Sequence, residues 1–104
     1  MGRWVKVAAA DTVAEGAPRA VAVDGWEVAL WRVGDAFYAT DDLCSHAEAS
    51  LSEGEQVGYR IICPRHGGQF DMRTGQALRF PAAAPIATFP VRVQDGALWI
   101  ELPE

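Results

Sequence analysis

The chain has 104 residues, 50% of them hydrophobic and 22% charged, with a formal net charge of −5. That length is expected to hold one domain with a modest core, and leaves no room for a second, separate catalytic domain. No run approaches the roughly eighteen apolar residues of a membrane span, and the net acidity argues against nucleic-acid binding, which favours a basic face. The N-terminal Met1-Gly2-Arg3-Trp4-Val5-Lys6 reaches polar Asp11 and Thr12 without the long apolar stretch or twin arginines of an export signal. A soluble, cytoplasmic protein is expected.

In chain order, one helical turn is expected near Asp11 to Ala14. Gly16, Pro18, Gly25, Gly34 and Gly54 break the alanine-rich stretches before a helix reaches a stable length. Val21 to Val23 and Trp26 to Val33 flank Asp24-Gly25, and Trp26 to Val33 and Ala36 to Thr40 flank Gly34-Asp35. Both are two-residue hairpin signals. Val91 to Gln94 and Ala97 to Glu101 repeat the pattern about Asp95-Gly96. Alternation places Phe89, Val91 and Val93 on one face of their strand, and Leu98, Ile100 and Leu102 on one face of the next. Trp26, Trp31, Phe37, Tyr38 and Trp99 fall on these strands and are expected mostly in the core. The fold class is therefore all-β and antiparallel, without repeats or linkers.

Cys44-Ser45-His46 and Cys63-Pro64-Arg65-His66 contain every cysteine and every histidine of the chain, as C-x-H and C-x2-H with residues 47 to 62 between them. A structural zinc is one reading of four such ligands, but Cys₂His₂ zinc sites usually pair cysteine with cysteine and histidine with histidine. A disulfide is possible on count alone. Each pair here is mixed, delivering one sulfur and one nitrogen from each loop. That suits a [2Fe–2S] centre in which histidines replace two of the four cysteines.

The second motif continues as Gly67-Gly68-Gln69-Phe70-Asp71 with Thr74-Gly75 following. The run is similar to the C-P-x-H-G-x-x-F-D-x-x-T-G string of Rieske ferredoxins, and the chain resembles that family over nearly its whole length. The resemblance implies a β-sandwich-like base domain with a smaller cluster-binding part at one end, about residues 41 to 80. It implies one [2Fe–2S] cluster, with Cys44 and Cys63 on an inner iron and His46 and His66 on an outer, exposed one. Phe80-Pro81-Ala82-Ala83-Ala84-Pro85 looks like the proline loop that covers the cluster in this family. Ala47-Glu48 departs from the usual Gly-Asp.

By the same resemblance the function is one-electron shuttling from an NAD(P)H-dependent flavoprotein reductase to a terminal non-haem iron oxygenase of an aromatic ring dioxygenase system. Such a carrier would be a monomer meeting its partners transiently. The small subunit of an assimilatory nitrite reductase and a zinc-stabilised interaction module are the alternatives. No histidine remains for a mononuclear iron triad or for general-base catalysis, so the chain alone is not expected to be an enzyme. High-potential relatives carry a disulfide and Ser and Tyr hydroxyls near the cluster. Here Ala49 and Arg65 stand at the disulfide positions, Gly68 at the serine and Phe70 at the tyrosine, so a low potential is expected. Phe70 and Phe89 are candidates for shielding the site from water, and Arg65 for contacting a partner carboxylate. Asp41, Asp42, Glu48, Glu53 and Glu55 lie near the first motif and are expected to steer the tip toward basic patches.

Overall fold

A computed structural model describes residues 2–45, 49–65 and 67–103. Among these residues it has strands β1 (Arg3–Ala9), β2 (Arg19–Val23), β3 (Trp26–Val33), β4 (Ala36–Asp41), β5 (Glu55–Val57), β6 (Arg60–Ile62), β7 (Gln69–Asp71), β8 (Ala77–Arg79), β9 (Thr88–Phe89), β10 (Val91–Gln94) and β11 (Ala97–Leu102). They form antiparallel sheets in the orders β1-β11-β10, β2-β3-β4-β9 and β5-β6-β7-β8. Two single 3₁₀ turns, Ala10–Thr12 and Leu51–Glu53, are the helical elements, the first close to the expected position.

All three expected hairpins are present, closing at Val23↔Trp26, Val33↔Ala36 and Gln94↔Ala97. Asp24 and Gly25 both have positive φ, as do Asp95 and Gly96. Such turns match the right-handed twist of the strands they join, which is why Asp-Gly is a strong hairpin signal.

Strand β3 organises the core. Val28, Ala29, Leu30 and Trp31 are all buried in sequence. Because successive side chains point to opposite faces, Val28 and Leu30 pack with Leu98, Ile100 and Leu102 of β11, while Ala29 and Trp31 pack with Ile61, Phe70 and Met72 on the other side. The sheet of β2, β3, β4 and β9 is thus a middle layer. One face closes the base sandwich and the other carries the small sheet of β5 to β8. The indole of Trp31 donates to Thr40 Oγ1 at 3.0 Å, and that hydroxyl donates to the Asp41 carbonyl at 2.9 Å, so the polar atoms at this junction are satisfied.

The alternation read across Phe89, Val91 and Val93 needs correcting. The segment is not one strand: β9 pairs with β4, whereas β10 pairs with β11. Phe89 is buried and Val93 is 52% exposed. Pro90 stands at the crossing, and its missing N–H cannot continue a ladder. Leu98, Ile100 and Leu102 are buried together as expected, whereas Trp26, Phe37, Tyr38 and Trp99 are only half-buried.

Candidate functional site

The second motif segment belongs to the small sheet and the first follows β4 of the middle sheet. Cys63 directly follows β6 and begins the connection to β7, where its N–H donates to the Gly68 carbonyl at 2.8 Å and its own carbonyl accepts from Gly67 N–H at 3.2 Å. Cys44 lies beyond β4 in a loop pinched by a bridge between Leu43 and Ser50, and its N–H donates to the Ala49 carbonyl at 3.0 Å. The chains of the two motifs, nineteen positions apart at their cysteines, thus converge. Cys44 and Cys63 are both buried, neither is in a disulfide, and both belong to one apolar cluster with Trp31, Leu51, Ile61, Phe70 and Met72. His46 and His66 lie outside the described residues, as do Ala47 and Glu48.

The proline-containing loop joins this cluster. Ala82 and Ile86 are buried in it. Ser45, the residue after Cys44, donates its hydroxyl to the Ala84 carbonyl at 2.8 Å. Ile86 N–H donates to the Gly75 carbonyl at 2.9 Å, tying the same loop to the turn between β7 and β8. Gly75 has φ +78°, and a Cβ there would fall 2.0 Å from the Ile86 carbonyl oxygen. The Thr74-Gly75 of the motif is therefore a point of close backbone approach as well as a turn.

On the flank, Arg73 makes two hydrogen bonds to the Asp71 carboxylate at 3.1 Å and lies 4.1 Å from the ring centre of Tyr59. Tyr59 in turn meets Tyr38 of β4 edge to face at 5.8 Å. These four side chains link the middle sheet to the small one. The Arg73 hydrogen bonds hold the Asp71 carboxyl below the usual carboxylate range, and burial, aided by Tyr59, pushes the Tyr38 phenol up. The motif marked only Asp71 of this group, because the other three partners come together only through the folding of separate segments.

Other expectations divide. Phe70 is fully buried beside both cysteines and screens them from water, whereas Phe89 belongs to the opposite core of the base sandwich and cannot. Asp41 and Asp42 do not flank the tip as a charged rim. Asp42 is buried and accepts from Ser52 N–H at 2.8 Å, and Asp41 accepts from Ala87 N–H at 2.9 Å. Both fix loop backbone. Glu53, Glu55 and Arg65 are exposed.

Two thiols held in a shared core are suited to soft metal ligation, and the donor set fits an iron–sulfur group. Residues 3–90 match the family model of the Rieske [2Fe-2S] domain. The chain belongs to the Rieske family.

This Rieske chain is 40% identical over 100 residues to the ferredoxin component of the naphthalene 1,2-dioxygenase system of Pseudomonas putida, covering 96% of each. Among solved structures it is similar to a ferredoxin of Sphingomonas yanoikuyae B1, with TM-score 0.93, 38% identity, and coverage of 97% of this chain and 100% of that one. It is also similar to a chain in a complex of reduced oxygenase and oxidized ferredoxin of carbazole 1,9a-dioxygenase, with TM-score 0.89 and 43% identity over 94% of this chain and 92% of that one. The cofactor is a Rieske-type [2Fe–2S] cluster, and the protein is an electron carrier, a component of a larger system and not itself a catalyst. Among the described residues no helix is long and apolar enough to cross a membrane.

Proposed function

We propose that this Rieske chain is the ferredoxin of an aromatic ring dioxygenase system, taking single electrons from an NAD(P)H-dependent flavoprotein reductase and passing them to a terminal Rieske non-haem iron oxygenase. Cys44 and Cys63 would hold the cluster, and His46 and His66 would complete its ligand set. When bound, the group supplies a centre that gains and loses one electron at a time. Residues 1–104 act as one domain, whose cluster-holding part is about 41–80. The shared burial of Cys44 and Cys63 in one core is the observation that carries this reading, because it brings one thiol from each motif to the same place.

The rest of the site serves that assignment. Phe70, Met72 and Leu51 keep water from the cysteine side, which matters because exposure and hydrogen bonding set an iron–sulfur potential. Ser45, Ala82 and Ile86 hold the proline-containing loop over the first motif. The carrier works in the cytoplasm as a monomer and meets each partner transiently.

Purified holoprotein should contain iron and acid-labile sulfide in equal amounts, and after dithionite reduction its EPR signal should show hyperfine coupling to two nitrogens. With NADH, a flavoprotein reductase and a ring-hydroxylating oxygenase, product formation should depend on the carrier. Zinc without sulfide, or a cluster lacking nitrogen coupling, would overturn the assignment.

A further inference from the structure

We infer that Phe80, flanked by Arg79, is the apolar anchor on which the terminal oxygenase docks, seating in a recess of that partner rimmed by carboxylates. The inference rests on the carrier role proposed above and names the contact that the role requires.

Phe80 is 84% exposed, and Leu78 beside it is 43% exposed. Isolated apolar side chains on a surface need no explanation, but this one is held in place close to the thiols. Two residues further on, Ala82 is buried in the cluster that contains Cys44 and Cys63, and two residues span at most about 7 Å. Its backbone is bonded on both sides: Ala82 N–H donates to the Arg79 carbonyl at 3.0 Å, Ser45 binds the Ala84 carbonyl at 2.8 Å, and Ile86 is bonded to Gly75 at 2.9 Å. A partner that approaches closely enough to accept an electron must meet this loop. An aromatic ring on a pre-ordered segment loses little freedom on docking, and such rings are enriched among the residues that dominate binding.

Charge selects the partner's chemistry. No lysine or arginine lies between Arg32 and Arg60, whereas Arg60, Arg65, Arg73 and Arg79 follow with Asp71 as the sole acidic residue among them. Arg73 is engaged by Asp71, and Arg60 donates to Gln69 Oε1 at 3.2 Å. Arg79, next to Phe80, is exposed. The segment that bears the aromatic ring therefore carries an exposed cation although the protein as a whole is acidic, and it suits a partner face of carboxylates around an apolar recess. Glu53 and Glu55, exposed in the segment after the Cys44 loop, give the tip a second, opposite sign that fixes the orientation of approach.

The test is stopped-flow electron transfer from dithionite-reduced holoprotein to the purified terminal oxygenase encoded with it, for wild type, Phe80→Ala, Phe80→Leu and Arg79→Glu. Each variant is first checked for an unchanged visible spectrum and sedimentation as a monomer. The expected result is a half-saturating concentration raised about thirtyfold by Phe80→Ala, the lower end for a dominant interface residue, with the limiting rate unchanged. Phe80→Leu should recover most of the affinity, and Arg79→Glu should weaken binding and reverse part of its salt dependence. Unchanged half-saturation in Phe80→Ala and Arg79→Glu overturns the anchor, as does weakening seen only with the reductase. Wild-type dimers that Phe80→Ala dissociates would assign the patch to a second copy of this chain and also overturn it. Failure of the wild type to reduce the oxygenase at all would instead refute the carrier role.

Discussion

Ser45 and Ala84 are 39 positions apart, yet the hydroxyl of one donates to the carbonyl of the other at 2.8 Å. The bond joins the residue between two proposed ligands to the loop that shares a core with both cysteines. Ser45→Ala should lower stability by about 0.5 to 1 kcal/mol, the lower range for a hydrogen bond at an exposed site, and so reduce the melting temperature by roughly 2 to 8 °C for a domain of this size. Amide exchange at Ala82 and Ile86 should accelerate while that of Leu98 and Ile100 stays the same. Uniform acceleration through both cores would show that the bond does not act locally.

Gly75 offers a sharper contrast. A methyl group there would fall 2.0 Å from the Ile86 carbonyl oxygen, whereas at Gly58, also of positive φ, no atom lies within 4 Å of the added carbon. Gly58→Ala should therefore cost only the left-handed backbone penalty of about 1 to 2 kcal/mol. Gly75→Ala adds a backbone clash to that penalty and displaces the loop from the cysteines, so its loss should exceed about 3 kcal/mol. Urea unfolding of the two variants side by side tests this, and equal losses would contradict it.

The Asp71 and Arg73 pair makes acid stability a local readout. Hydrogen bonding to Arg73 lowers the Asp71 pKa, so the folded state binds that proton less readily than the unfolded chain. Its contribution is present above the unfolded aspartate value of about 3.9 and is lost as pH falls through the lower folded value. Asp71→Asn should flatten the stability profile in that acid range and leave the profile near neutrality parallel to wild type. Arg73→Gln should flatten the same range, and the double variant should add little to either. Additive losses would mean that the two residues act independently.

The parts of this structure legible beforehand were those with strong local chemistry. Asp24-Gly25 and Asp95-Gly96 announced their turns through backbone conformations that few residue pairs adopt, and the two Cys/His motifs marked the loops. The small sheet was silent because β5, β6, β7 and β8 have three residues each, too short for alternation to register. The crossing at Pro90 was hidden because Phe89, Val91 and Val93 keep period two while changing partners. Asp41 and Asp42 misled for a different reason: a carboxylate beside a site reads as a charge, and its bonds to Ala87 and Ser52 appear only once distant backbone has come near.

The reduction potential follows from Phe70 and Gly68. Phe70 is fully buried against Cys44 and Cys63, and Gly68, buried between Cys63 and β7, has no side chain. Neither residue can offer a side-chain hydrogen bond toward a cluster sulfur, and such donors favour the reduced state because reduction adds negative charge there. The potential should therefore lie toward the lower end of the Rieske span of roughly −150 to +300 mV. Phe70→Tyr introduces a hydroxyl into the core shared by both thiols, and Gly68→Ser introduces one beside the Cys63 backbone. Each should move the potential upward, with an unchanged visible spectrum confirming an intact cluster. Protein-film voltammetry reads both effects. A strongly positive wild-type value would mean that backbone donors supply what these two side chains lack.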